Sequence, residues 1–216
     1  MIKRSLLFNF CFFLCFLTKI ESQNINKYDN QKDLELKITK GLDLEQQIRA
    51  KLYPMMKSGK VDIELNNQMG KVDSINQIYV NRYLQLYGYP KLSEQGKKIC
   101  DGVFYIIQHS NLETMEKYLP FLKKNAFRGE ASKVHFAMMQ DRVLMYKGEK
   151  QLYGTQASRR KNKKGYLTSK SYIWPIKNSK LVNSRRKKIG FKTTVEEYAK
   201  KLGAEYNPNE KLIVKK

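Results

Sequence analysis

Asp141 occupies a position that demands a chemical explanation. In a helical register Val134, Ala137, Met138, Leu144 and Met145 lie at −7, −4, −3, +3 and +4 from it. That spacing sets a carboxylate inside an apolar stripe. A buried carboxylate without a partner is strongly unfavourable, so the position requires a cation or several donors. Arg142 comes next in sequence and points roughly 100° away on a helix, so the partner must come from another segment. A structural ion pair and a site carboxylate both fit.

His109 and His135 are the only histidines. The pattern ends a helix near His109, where the helix dipole favours the protonated ring and a general acid or base would be well placed. A satisfied helix-end histidine fits as well. His135 lies four and seven residues before Met139 and Arg142. Two histidines and scattered acids give no tight metal-ligand spacing, and no cofactor is implied. Gly148, Gly154 and Gly165 are too scattered for a phosphate loop, and no nucleophile elbow or zinc-protease helix is present.

From Lys150 to Val195 there is no acid, while 14 residues are Lys or Arg. Tyr166, Tyr172 and Trp174 are interleaved with them. Such a stretch suits a polyanion: an anionic glycan, a lipid headgroup or nucleic acid. A solvated lysine-rich surface has the same composition.

The elements that must position these residues are mostly helical. Asp43 is expected to cap a helix running to about Lys57, with Leu44, Ile48 and Leu52 on one stripe and Pro54 kinking it or ending it early. Gly59 and Lys60 read as a break. A helix over Asn66 to Leu86, with Val72, Ile75, Tyr79 and Leu86 on its stripe, stops at Gly88-Tyr89-Pro90. Ser93 is expected to cap the next helix, which carries Ile99, Val103, Ile106 and Ile107. Asn111 and Ser132 cap two more, closed by Gly129 and Gly148. Gln151 to Ala157 and Tyr166 to Ile176 then read as a β-hairpin around a basic turn, Ser158 to Gly165. Asn178 is expected to cap a basic helix ending at Gly190. Thr194 and Glu197 form a capping box for a last helix ending at Gly203.

The N-terminus carries its own signal. Lys3 and Arg4 precede an apolar run, Ser5 to Leu17, and a polar stretch ends at Ser22. This order describes a cleavable signal peptide over residues 1–22, with a retained anchor as the other reading, and its apolar run is shorter than the ~20 residues that span a bilayer. Cleavage would leave 194 of the 216 residues and take the net charge from +22 to +20. Cys11 and Cys15 would leave with the signal, so Cys100 could form no internal disulfide. Export, to the periplasm or exterior, argues against intracellular nucleic acid as a partner, and no transmembrane helix is expected after cleavage.

Several of these pieces stand in an order that resembles a known family. Asp141-Arg142-Val143 followed by Gln151-Leu152-Tyr153-Gly154-Thr155-Gln156 is similar to the core signature of the bacterial domain-of-unknown-function family 6624. Gln108-His109-Ser110 fits it, as does Gly88-Tyr89-Pro90 preceded by Asp73 and Asn76. Glu45-Gln46 with Arg49, and Pro175-Ile176, Arg185-Arg186, Gly190 and Tyr198, match more loosely. After Pro175-Ile176 the chain departs, with Lys177-Asn178 where the family has acids, and the basic turn is its own. The resemblance spans roughly residues 43 to 203 and names a relative, not a reaction. It implies a polar set, Gln46, Arg49, Asp73, Asn76, Gln108, Gln151, Tyr153, Gly154, Thr155 and Gln156, that either converges on one ligand-binding pocket or forms one structural hydrogen-bond network. Around it, His109, Asp141 and Arg142 are the candidate catalytic residues.

The expectation is a mostly α fold of about six helices with one small hairpin at about 151–176. It comprises a polar arm over 23–42, a single domain over 43–203 and a tail over 204–216. The leading function is a secreted, non-enzymatic binding module with a basic, anion-attracting face. The alternative is a hydrolase-like enzyme with His109 as base, Asp141 as its orienter and Arg142 as anion stabiliser. No Ser or Cys stands in an activating context, so water would be its nucleophile.

Overall fold

The computed structural model describes residues 30–57, 62–161 and 167–212. The expected signal peptide, the start of the polar arm, the Gly59-Lys60 break, the tip of the basic turn and the end of the tail lie outside the described residues. Seven α-helices and a small sheet make up the rest, so the mostly helical class holds.

Helix α1 covers Gln31–Lys57. Leu34, Ile38, Leu42, Ile48 and Leu52 are buried along one face of it. Their spacing of four, with one longer step, is that of a helical stripe. The Asn30 carboxamide accepts the N–H of Asp33, a cap placed 13 residues before the expected one. Asp43 instead lies in mid-helix and pairs with Lys98 at 3.3 Å. The polar majority of residues 31–42 hides the three apolar residues that decide their conformation. Pro54 sits in the last turn, and the helix continues only to Lys57.

Helix α2, Ile63–Tyr87, opens on Asp62, whose side chain accepts the Leu65 N–H at 2.9 Å. Its buried residues are Met69, Asn76, Val80, Tyr83 and Leu84. The expected stripe is therefore rotated: Ile75 and Leu86 are exposed. Asn76 and Tyr83 take the inner face, where apolar periodicity could not register them. Gly41 explains how close the two helices come, since a Cβ there would meet Asn76 Oδ1 at 1.9 Å.

Helix α3, Leu92–Gln108, is bent at Gly96 (φ 75°) and buries Ile99, Val103, Ile106 and Ile107 as expected. Lys91, not Ser93, is its cap residue. Ser93 gives its hydroxyl and N–H to Glu130. Helices α4 (Leu112–Phe127) and α5 (Lys133–Tyr146) start on the expected caps: Asn111 accepts from Thr114 N–H and Ser132 from His135 N–H.

After α5 the chain differs from the expected hairpin. Strands β1 (Ala157–Lys161) and β2 (Leu167–Ile173) pair antiparallel, so the start of the basic turn is strand. Residues 151–156 form a loop with one isolated bridge, Gln151 to Ile176. A 3-10 turn (Ser179–Leu181) leads into α6 (Val182–Ile189). Asn178 precedes it in a left-handed conformation and makes no side-chain cap. Helix α7 (Val195–Leu202) has the expected capping box, and β3 (Ala204–Glu205) adds a parallel edge to β2. The order of strands is β1-β2-β3. Among the described residues no helix is long and apolar enough to cross a membrane.

Two larger apolar clusters result, beside a small one of Ile48, Leu52 and Met69 between α1 and α2. Leu34, Ile38, Val80, Tyr83, Val103, Phe104, Ile107, Met115, Phe136 and Met139 join α1 to α5. Ile173, Ile176, Val182, Val195 and Ala199 join the sheet to α6 and α7. Each buried aliphatic or aromatic side chain contributes about 1.5–3 kcal/mol.

His135 belongs to the first cluster. Its ring stacks on Phe104 with centroids 3.9 Å apart and planes 4° from parallel, and Asp101 is 3.7 Å from Nδ1. Burial pulls the imidazole down to about 4, against the opposing field of Asp101. An unfolded histidine titrates near ~6.5, so the unfolded chain binds the extra proton between these values. The stability from neutral His135 is complete above the upper value and is lost as pH falls through the window. Urea melts between neutral pH and about 4.5 should show His135→Phe losing less stability than wild type, by on the order of 1–3 kcal/mol. Parallel pH profiles would contradict this.

Candidate functional site

Asp141 is fully buried on α5, as its stripe predicted, and its hydrogen bonds among the described residues come from uncharged donors. Oδ1 accepts Leu152 N–H at 2.7 Å and Tyr153 N–H at 3.1 Å. Oδ2 accepts Thr155 N–H and the Thr155 hydroxyl, each at 3.0 Å. Burial pushes the carboxyl up to about 6, against the pull of these donors. The loop curls around the carboxylate because Gly154 takes φ 69°, where a Cβ would stand 2.6 Å from Val195 Cγ2 and 2.8 Å from Ile176 Cδ1. Gln151 closes the loop: its amide donates to the carbonyls of Gln156 and Trp174, and its Oε1 accepts Gln156 N–H. The loop carbonyls face two arginines. Arg185 Nε donates to Leu152 O and buried Arg186 Nη1 to Tyr153 O, both at 2.8 Å.

Asp141, Gln151, Tyr153, Gly154 and Thr155 therefore form one structural network. None of them bonds to His109, and the expected Asp141–His109 pairing is replaced by another. Glu45 on α1 meets His109 Nδ1 at 2.6 Å. Gln46, the expected ligand-binding member of the Glu45-Gln46 pair, is exposed, and Glu45 is the buried one. The signal was present: Glu45 falls within the stripe of Leu34, Ile38, Leu42, Ile48 and Leu52, as Asp141 does within its own.

The Glu45 carboxylate is 1% exposed and takes Arg49 Nε on the same oxygen at 2.8 Å. Arg49 Nη2 reaches Asp73 on α2 at 3.2 Å. Burial would raise Glu45, but the His109 and Arg49 hydrogen bonds outweigh it and hold the carboxyl below its ordinary value. Asp73 is raised, chiefly by burial. An ionised Glu45 only accepts, so the Nδ1 facing it carries the proton. In the neutral ring Nε2 then keeps its lone pair. The His109 side chain is 18% exposed, so solvent reaches the ring.

Arg142 forms the adjoining part. Its Nη1 donates to Gln108 O at 3.0 Å and its Nε to Gln156 Oε1 at 3.1 Å. Gln156 Nε2 continues to the Thr155 hydroxyl, so this part is fastened to the Asp141 network. The Tyr146 hydroxyl sits beside the guanidinium, and Arg49 and Tyr198 are near enough to act on its charge. Burial pulls Arg142 below the usual arginine range. Three buried atoms here have no partner among the described residues: Glu45 Oε2, Asn76 Nδ2 and Gln108 Oε1. Such atoms are rare in folded proteins and mark water or ligand positions.

No group of three potential metal ligands gathers among the described residues. Cys100 is buried, and burial pushes its thiol up to about 11, which keeps it from serving as a thiolate.

Asp141→Asn would turn an amide N–H₂ toward main-chain N–H groups that need an acceptor. The expected loss is roughly 2–5 kcal/mol of stability. Urea denaturation at neutral pH measures it, and a loss below about 0.5 kcal/mol would show that the loop does not depend on the charge.

No curated protein and no solved structure matches the chain. A family model described as "Family of unknown function (DUF6624)" matches residues 31–211, a span that takes in every element from α1 to β3. The chain belongs to this family.

Proposed function

We propose that the chain is an exported, hydrolase-like enzyme that activates water with His109. The observation that carries this reading is the 2.6 Å contact between His109 Nδ1 and the buried Glu45 carboxylate. Glu45 takes the orienting role that the sequence pointed to in Asp141. It fixes the tautomer, leaves Nε2 to accept a proton, and stabilises the imidazolium that forms. In the step proposed, Nε2 takes a proton from water as the water oxygen attacks the electrophilic centre. The same proton passes to the leaving group as its bond breaks. Arg49 and Asp73 brace Glu45 so that the pair keeps its geometry.

A non-enzymatic module with a basic face draws less support. Arg185 and Arg186 donate to carbonyls inside the molecule, and Arg160 pairs with Glu210 at 2.8 Å. The acid-free stretch therefore presents fewer outward cations than its composition suggests.

Export rests on the order of charge, apolar run and polar end in residues 1–22. N-terminal sequencing of the native protein should begin after about residue 22; an intact start in a cell-internal fraction would overturn export. For the reaction, purified protein should be offered panels of esters, phosphoesters, amides and glycosides. Turnover is expected on one class and should fall by about 10²- to 10⁴-fold in His109→Ala. No turnover on any class, or an unchanged rate in a folded His109→Ala, would overturn the reading.

A further inference from the structure

We infer that Arg142 is the anchor for an oxyanion group of the substrate, a carboxylate or phosphoryl, held beside His109. This rests on the reading of His109 as the base and adds the substrate class to it.

The inference comes from unbalanced charge. Arg142 is largely shielded from solvent, yet its hydrogen bonds within the fold go to uncharged acceptors, Gln108 O and Gln156 Oε1. Among the described residues no carboxylate pairs with Arg142: those of this region bond to other groups, and Glu45 Oε2 is left without a partner. Glu45 Oε1 holds Arg49 and His109. Asp73 holds Arg49 through both oxygens. Asp141 is saturated by the loop donors. Arg49 adds a second positive charge close enough to disfavour the first. A shielded guanidinium without a carboxylate partner is unfavourable, and an oxyanion bound across its remaining N–H groups relieves it. A guanidinium has five N–H donors in a planar fork; these two bonds use two and the Tyr146 hydroxyl takes another.

Placement relates the anchor to the chemistry. Arg142 Nη1 holds the carbonyl of Gln108, one peptide bond from His109. A group bound to the outer edge of that guanidinium would put its neighbouring bond near the histidine. Buried Gln108 Oε1 has no donor among the described residues and calls for a hydroxyl or N–H on the same ligand. By contrast Arg186, equally without a carboxylate, is enclosed by Tyr153 O, Thr193 O and the Phe191 ring and is only 1% exposed. It has no opening for a ligand.

The test uses inorganic phosphate and acetate as probes on the full chain. Arginine side-chain Nε–H resonances are recorded during titration of wild type, with Arg142 assigned through Arg142→Lys. A saturable shift of the Arg142 signal at millimolar probe is expected, and it is retained in His109→Ala. An Arg142 signal that does not move, while chloride at equal ionic strength gives the same spectrum, overturns the inference. The hydrolase panel separates the two proposals. Anion binding without turnover leaves the anchor and removes the enzyme. Turnover confined to uncharged substrates, with KM unchanged in folded Arg142→Lys, leaves the enzyme and removes the anchor. If both hold, Arg142→Lys should raise KM for the anionic substrate at least tenfold.

Discussion

The carboxylate of Asp141 collects the main-chain N–H groups of Leu152, Tyr153 and Thr155, and much of the molecule's arrangement follows from that. Asp141 stands on α5, against the helical core. Its donors begin the segment that leads to the sheet and the second core. A buried carboxylate must have its lone pairs met, and a six-residue loop can meet them only by wrapping around it. The wrapping turns the carbonyls of Leu152 and Tyr153 outward, where Arg185 and Arg186 bind them and bring α6 into place. It also delivers Gln156 to Arg142, and Arg142 to the carbonyl beside His109. The candidate site thus inherits its geometry from a carboxylate that bonds to the loop and not to His109.

Glu45 and Asp141 make an instructive pair. Both are acids set in apolar stripes, and both are fully desolvated. Asp141 is met on both oxygens by uncharged donors, main-chain N–H groups and the Thr155 hydroxyl. Glu45 is met on one oxygen by two titratable or charged side chains, and its second oxygen has no partner among the described residues. A carboxylate tied to a histidine responds when that histidine gains a proton; one tied to a peptide loop does not. The difference lies in what the other segments bring, not in the stripe.

The basic second half shows a similar division. Charge density along the chain suggested a cationic face, yet three of its arginines serve the interior or a neighbouring acid. Arginine suits this use because its planar donors can hold two or three carbonyls at once. Composition counts charges and does not distinguish those that hold carbonyls from those that meet solvent.

Much of the local structure was legible in the sequence. The caps at Asn111, Ser132 and Thr194, and the turns at Gly190 and Gly203, are set by side-chain and backbone chemistry within a few residues. The burial of Asp141 was equally local, since helical periodicity alone predicts it. The start of α1 at Gln31 was not legible, because the three buried apolar residues of this polar segment, Leu34, Ile38 and Leu42, gain their helix only by packing on α2 and α3. The rotation of α2 depends on Asn76 lying over Gly41, a contact between residues 35 positions apart. The partner of His109 was hidden for the same reason: Glu45 is 64 residues away, and no spacing rule spans that distance. The sequence by itself determined the caps at Asn111, Ser132 and Thr194 and the burial of Asp141, because those features depend on near neighbours. Only the tertiary structure decided which buried acid meets the loop and which meets the histidine, because that depends on which helices cross.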